Sequence, residues 1–187
     1  GASSAAGWMS ASSTPFYSVA VGYNALATTP TAGTAQYNTA VGAYSLEDNT
    51  TGYYNSATGY ASLAANTTGY QNTANGYGSL YFNTTGIKNT ANGVIALQYN
   101  TTGSNNTATG YAALRNTTGA SNTAYGASTL YSNTTGSNNT ALGFQTLYYN
   151  GSATSTVAIG YNTAIGTGAY SNVGGTYVGF QSGYSAA

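Results

Sequence analysis

The chain has 187 residues with two basic and two acidic side chains, no histidine, no cysteine and a formal net charge of +0. Without His or Cys it lacks the usual ligands of a zinc cluster, the partners of a Ser-His-Asp or Cys-His nucleophile, and any disulfide framework. A charged fraction of 2%, against roughly 25% in a typical soluble domain, together with 26 Gly and 20 Tyr, argues against an enzyme and against a nucleic-acid partner, and points to repetitive structural material.

In chain order, residues 1–16 come first and are non-periodic. They lack the basic start and apolar core of a signal peptide, and Gly1 in place of Met reads as the start of a processed or excised chain. We read them as an arm that contacts another subunit, anchored by Trp8 and Phe16. A repeat domain follows over 17–180, and then a tail over 181–187. No stretch approaches the roughly 18 consecutive apolar residues of a membrane helix, so no membrane insertion is expected.

The repeat is explicit. The motif NTTG begins at Asn49, Asn66, Asn83, Asn100, Asn116 and Asn133, with successive spacings of 17, 17, 17, 16 and 17. A second motif, N-[TS]-A-x-G, closes on Gly42, Gly59, Gly76, Gly93, Gly110, Gly126 and Gly143, and degenerate copies extend it to Gly22 and Gly160. An alanine stands two residues before each of these glycines and a leucine four residues after the first eight of the series, from Leu26 to Leu147. One residue is missing between Leu114 and Asn116, which marks a bend that tolerates a change of length.

A unit of this length is too short for a helix-turn-helix repeat and suits one turn of a β-solenoid. It is also rich in Gly, Asn, Thr and Ser, and carries no apolar stripe of helical period. We therefore predict an all-β fold, a parallel β-solenoid or β-roll of 9–10 coils with a 17-residue period. Two short strands per coil are expected, T-A-x-G-Y and x-L-x-x. The Ala and Leu columns would fill a narrow interior, and the motif glycine would serve a positive-φ corner or a close backbone approach. The asparagines would form amide ladders from coil to coil.

Each NTTG also spells the N-x-[ST] sequon, as does Asn150-Gly-Ser. Two readings stay open for Asn49, Asn66, Asn83, Asn100, Asn116, Asn133 and Asn150: a column of covalent glycans, or an asparagine ladder that happens to spell a sequon. The residue after the motif glycine is often aromatic, as at Tyr23, Tyr60, Tyr77, Tyr111, Phe144, Tyr161 and Phe180. We read these as stacked rings covering backbone rather than as a platform for sugars. The adjacent Glu47 and Asp48 would point to opposite faces of an extended segment, so neither an acid–base pair nor a metal site is expected there. No catalytic residue and no cofactor is assigned.

The segment 155–171, STVAIGYNTAIGTGAYS, and the recurrent N-T-A-x-G resemble the head repeats of YadA-like trimeric autotransporter adhesins. The 17-residue NTAxG…L…NTTG unit also looks like repeats of phage and bacterial fibre β-rolls. That resemblance implies a left-handed parallel β-roll, extracellular exposure and commonly a homotrimer.

Outward positions turn apolar toward the two ends of the repeat, at Val21, Ile159 and Val178, and such ends invite stacking. The expected function is an extracellular or cell-surface structural subunit, glycosylated, whose partner is itself and which assembles head-to-tail into a filament. The runner-up is an adhesin or phage-fibre head that binds a host glycan or matrix as a homotrimer. A minor third reading is an ice-binding solenoid, which needs threonines on a flat face.

Overall fold

The computed structural model describes residues 17–28, 35–164 and 174–183. It is an all-strand parallel solenoid, as the period predicts. Ten three-residue strands stack in chain order into one parallel sheet. They are β1 (Val19–Val21), β2 (Thr39–Val41), β3 (Ser56–Thr58), β4 (Thr73–Asn75), β5 (Thr90–Asn92), β6 (Thr107–Thr109), β7 (Thr123–Tyr125), β8 (Thr140–Leu142), β9 (Val157–Ile159) and β10 (Thr176–Val178). From β2 to β9 the register advances by one repeat per strand, so that Ala57 lies between Ala40 and Ala74. Nine steps of about 4.8 Å give a rod about 43 Å long.

Each strand turns its middle residue inward. Ala40, Ala57, Ala74, Ala91, Ala108, Ala124, Ala141 and Ala158 form one buried column, and Leu26 to Leu147 form a second beside it. A small buried residue precedes each leucine, as at Ser62, Ser79 and Ala96.

The second expected strand is absent. At x-L-x-x the chain instead makes a tight turn in which the residue two after the motif glycine and the leucine itself both take positive φ, for example 52° at Ala61 and 51° at Leu63. A leucine in this left-handed region is costly in isolation. Here the turn sends alternate N–H groups to opposite neighbours: Ala61 donates to the Ala43 carbonyl on one side and Leu63 to the Ser79 carbonyl on the other. A third left-handed residue, such as Tyr54 or Gln71, precedes each asparagine of the N-[TS]-A-x-G motif. Inter-coil bonds and burial of the leucine offset the local strain at every turn.

At β10 the core changes composition. Ala164 and then Gly183 stand where earlier coils have leucine, while Tyr177 stands in the alanine column. The Tyr177 ring packs against the core and takes the vacated room. A Cβ on Gly183 would lie 2.7 Å from its Cε1, and a Cβ on Gly175 would lie 2.7 Å from its hydroxyl oxygen. At the last described coil an aromatic ring thus fills the interior.

Candidate functional site

Two asparagine columns run inside the wall of the rod. In the first, Asn66 Nδ2 donates to Asn49 Oδ1 at 2.7 Å, Asn83 to Asn66 at 2.9 Å and Asn100 to Asn83 at 2.9 Å. In the second, the backbone N–H of each asparagine donates to the Oδ1 of the one before it: Asn55 to Asn38, Asn72 to Asn55, Asn89 to Asn72. The glycine of NTTG joins the columns, because the Gly69 carbonyl accepts from both Asn55 Nδ2 and Asn66 Nδ2. A Cβ at that glycine would run into the Asn66 Oδ1 and the Gly86 carbonyl, so only glycine fits.

Five of the sequon asparagines, Asn49, Asn66, Asn83, Asn100 and Asn133, are at most 1% exposed, and Asn150 is 4% exposed. Their Nδ2 atoms, which a glycan would have to occupy, donate to a neighbouring amide or hydroxyl oxygen, to a turn carbonyl, or to both. Asn116 differs. The missing residue before it shifts the turn, so Thr117 takes the ladder position and Asn116 moves to a half-buried site. Thr117 accepts from Asn133 Nδ2 and from the Gly119 N–H, and Asn100 Oδ1 is left buried without a partner. After expression in a glycosylating host, we expect peptide mapping to find unmodified asparagine at the six buried positions, with any occupancy confined to half-buried Asn116 and to the exposed Asn105 and Asn138, each of which opens an N-N-T sequon. A glycan found on Asn66 or Asn83 of folded protein would refute this.

The first threonine of NTTG is likewise engaged. Thr50 donates its hydroxyl to the Thr67 carbonyl, Thr67 to Thr84 and Thr84 to Thr101. These hydroxyls tie coils together and are not presented as an array.

Aromatic rings form columns on the exposed surface. Behind the motif glycines, Tyr60 stacks on Tyr77 with centroids 5.4 Å apart, and Phe144, Tyr161 and Phe180 form a continuous stack. Ala43, Val94 and Ala127 interrupt this column, so it is a set of short stacks. A second column, which the period did not single out, runs through Tyr17, Tyr37 and Tyr54 at 5.2 and 4.9 Å. At the bend, Tyr81 meets Phe82 edge-on and Tyr148 meets Tyr149 in the same way.

Tyr148 is held above its ordinary pKa, first by burial and then by the like charges of Tyr131 and Tyr149, with Arg115 opposing them. Tyr44 is raised in the same direction, first by desolvation and then by Tyr23 and Tyr60. A phenol whose folded pKa is raised holds its proton longer than in the unfolded chain, so its contribution to stability is complete below the ordinary phenol value of 10.0 and is lost as pH rises past it. The thermal midpoint is therefore expected to be flat from neutrality to about pH 9 and to fall above that. A steady rise through pH 10 to 11 in a series of calorimetric scans would overturn the assignment.

The residues expected to serve assembly divide. Val21 and Val178 are 56% and 64% exposed and Ile159 is 38% exposed, all on the outer face of the sheet. Trp8, Phe16, the arm over 1–16 and the last residues of the tail lie outside the described residues. Asp48 and Lys88 are exposed, and Glu47 accepts a hydrogen bond from Asn24 Nδ2. Among the described residues there is no group of three or more metal-ligating side chains, and no helix long and apolar enough to cross a membrane. Compared with family models, with curated proteins and with solved structures, the chain finds no match.

Proposed function

We propose that the protein is an extracellular, non-enzymatic structural subunit that associates head-to-tail into a filament. The observation that carries this reading is the open sheet. Among the described residues β1 pairs only with β2 and β10 only with β9, and each of these outer strands carries an exposed valine. A terminal strand leaves backbone donors and acceptors free for a further parallel strand. End-to-end contacts between unlike faces do not close on themselves, so they generate an open polymer. A net charge of +0 supplies no repulsion between copies.

Removing residues 1–16 is the direct test, with native material imaged by electron microscopy beside the truncated chain. The full chain should give continuous filaments with an axial repeat near the rod length, and the truncated chain short rods. Unchanged filaments after truncation would sink the role given to the arm, and discrete three-fold particles would sink the filament. That last outcome would favour the trimeric head, a reading supported by the aromatic stacks along the flank of the rod, which suit side-by-side packing of three copies.

A further inference from the structure

One stretch of the flank differs from the rest. The position two residues after the motif glycine is Tyr44, Ala61, Gly78 and Ile95 in four successive coils. Two minimal residues thus lie between two bulky ones, and they leave a notch about 10 Å long at about 4.8 Å per coil. The notch is a cleft of about 190 Å³ lined by Tyr60, Ala61, Tyr77, Gly78, Tyr81, Phe82, Gln98 and Tyr99.

Its walls are two ring stacks. Tyr60 and Tyr77 lie 9° from parallel on one side, and Phe82 and Tyr99 lie 11° from parallel, 5.1 Å apart, on the other. All four rings are between 38% and 56% exposed, whereas the floor residues Ala61 and Gly78 are buried. One amide serves the cleft. Arg115 Nε donates to Gln98 Oε1 at 2.9 Å, which fixes the amide orientation, and Gln98 Nε2 lies 3.8 Å from where a Cβ on Gly78 would be.

Arg115 is itself committed. Its guanidinium lies 5.0 Å from the Tyr99 ring centroid and 5.5 Å from that of Tyr131, and it donates to the Tyr131 hydroxyl. The lining therefore offers aromatic surface, phenol hydroxyls and one oriented N–H donor, with no charge. Apolar walls with a few placed polar groups are the usual make-up of a small-molecule site. A purely apolar partner would leave the amide unanswered, and an anionic one would meet no cation.

We propose that this cleft binds one ring of a neutral hexopyranose chain, with its C–H faces against the two stacks and a hydroxyl accepting from Gln98 Nε2. The site is independent of the assembly reading: filament and trimer alike leave the question of what this notch holds.

The test is titration of the full chain with maltohexaose, cellohexaose and mannohexaose, followed by tyrosine fluorescence and saturation-transfer NMR. At least one sugar should bind saturably, one per chain, with its ring C–H protons receiving the strongest transfer. Gly78→Gln fills the floor with the residue that stands at the same position, at φ 51°, as Gln145, so the fold is kept. It should weaken binding about ten-fold or more. Tyr77→Val, which copies Val94 of the next coil, should do the same, while Phe144→Ala in the distant stack should change nothing. Absence of saturation with all three sugars up to about 10 mM overturns the proposal, as does binding that survives both cleft variants. Saturable binding of N-acetyl-tryptophanamide in their place would reassign the cleft to an aromatic side chain and overturn it equally.

Discussion

Gly76→Ala is expected to lower the thermal midpoint by about 6–12 °C, the equivalent of about 3 kcal/mol in a chain of this size. Gly76 holds φ 131°, which L-residues rarely adopt. A Cβ there would lie 2.6 Å from the Gly93 oxygen and 2.7 Å from its carbonyl carbon. Both are backbone atoms of the next coil, which is held in place by the Gly93 N–H donating to Asn75 at 2.8 Å and by the β4–β5 pairing. The clash cannot be relieved by a rotamer. It requires the two coils to part, and parting breaks the ladder bonds around it. Gly78→Ala is the matched control. Its φ is 59°, which Ala61 and Ile95 share, and its Cβ would meet Ile95 at 3.6 Å, an ordinary contact. The control should stay within about 1 kcal/mol of the parent. Equal melting of the two variants by circular dichroism would show that the corner glycine is dispensable.

A comparable loss is expected from Asn83→Leu, which keeps the branched shape and removes the amide. Asn83 Nδ2 donates to Asn66 Oδ1 and to the Gly86 carbonyl, and Asn83 Oδ1 accepts from Asn100 Nδ2. Gly86 and Asn100 retain other partners, in Asn72 Nδ2 and the Gly103 carbonyl, whereas Asn66 Oδ1 is left facing an apolar side chain. At about 1–3 kcal/mol for a buried group left unpaired, plus the bonds lost outright, the total is about 3–5 kcal/mol. Asn116→Leu, outside the column, should cost less than about 1 kcal/mol. The reciprocal change tests the same idea from the other side. Thr117→Asn returns an amide to the ladder position that Thr117 occupies, where Asn100 Oδ1 is buried without a donor, and should stabilise the rod by about 1 kcal/mol. Denaturant midpoints for the three variants, measured together, decide the matter. If Asn83→Leu and Asn116→Leu unfold alike, the ladder is ornamental.

The contrast between Asn83 and Asn116 also shows what could be read from the chain alone. Strict repetition of Ala, Leu, Asn and Gly announced the interior, because a position that never varies across stacked coils is one with no room to vary. The two glycine roles followed from the same logic. What could not be read was how the chain moves at Leu63. Leucine favours strand or helix over a left-handed turn, and only bonds to Ala43 and Ser79 in other coils reverse that preference. Nor could the motif alignment place Asn116. One missing residue makes the letters N-T-T-G match while the burial pattern slips by one, so Thr117 holds the place the motif gives to asparagine. The cleft was illegible for a further reason. It depends on Ala61 and Gly78 being small in succession, at a position the period leaves free.

The constant register of β2 to β6 makes the coil a unit of length. Excising residues 60–76 would join Gly59 to Tyr77, and every Ala, Leu and Asn column would close with the same kind of partner as before. The rod would shorten by about 4.8 Å with both ends unaltered. Because neighbouring units pair through the same columns, the length of the rod is set in whole coils, open to adjustment one step at a time without redesign of the wall.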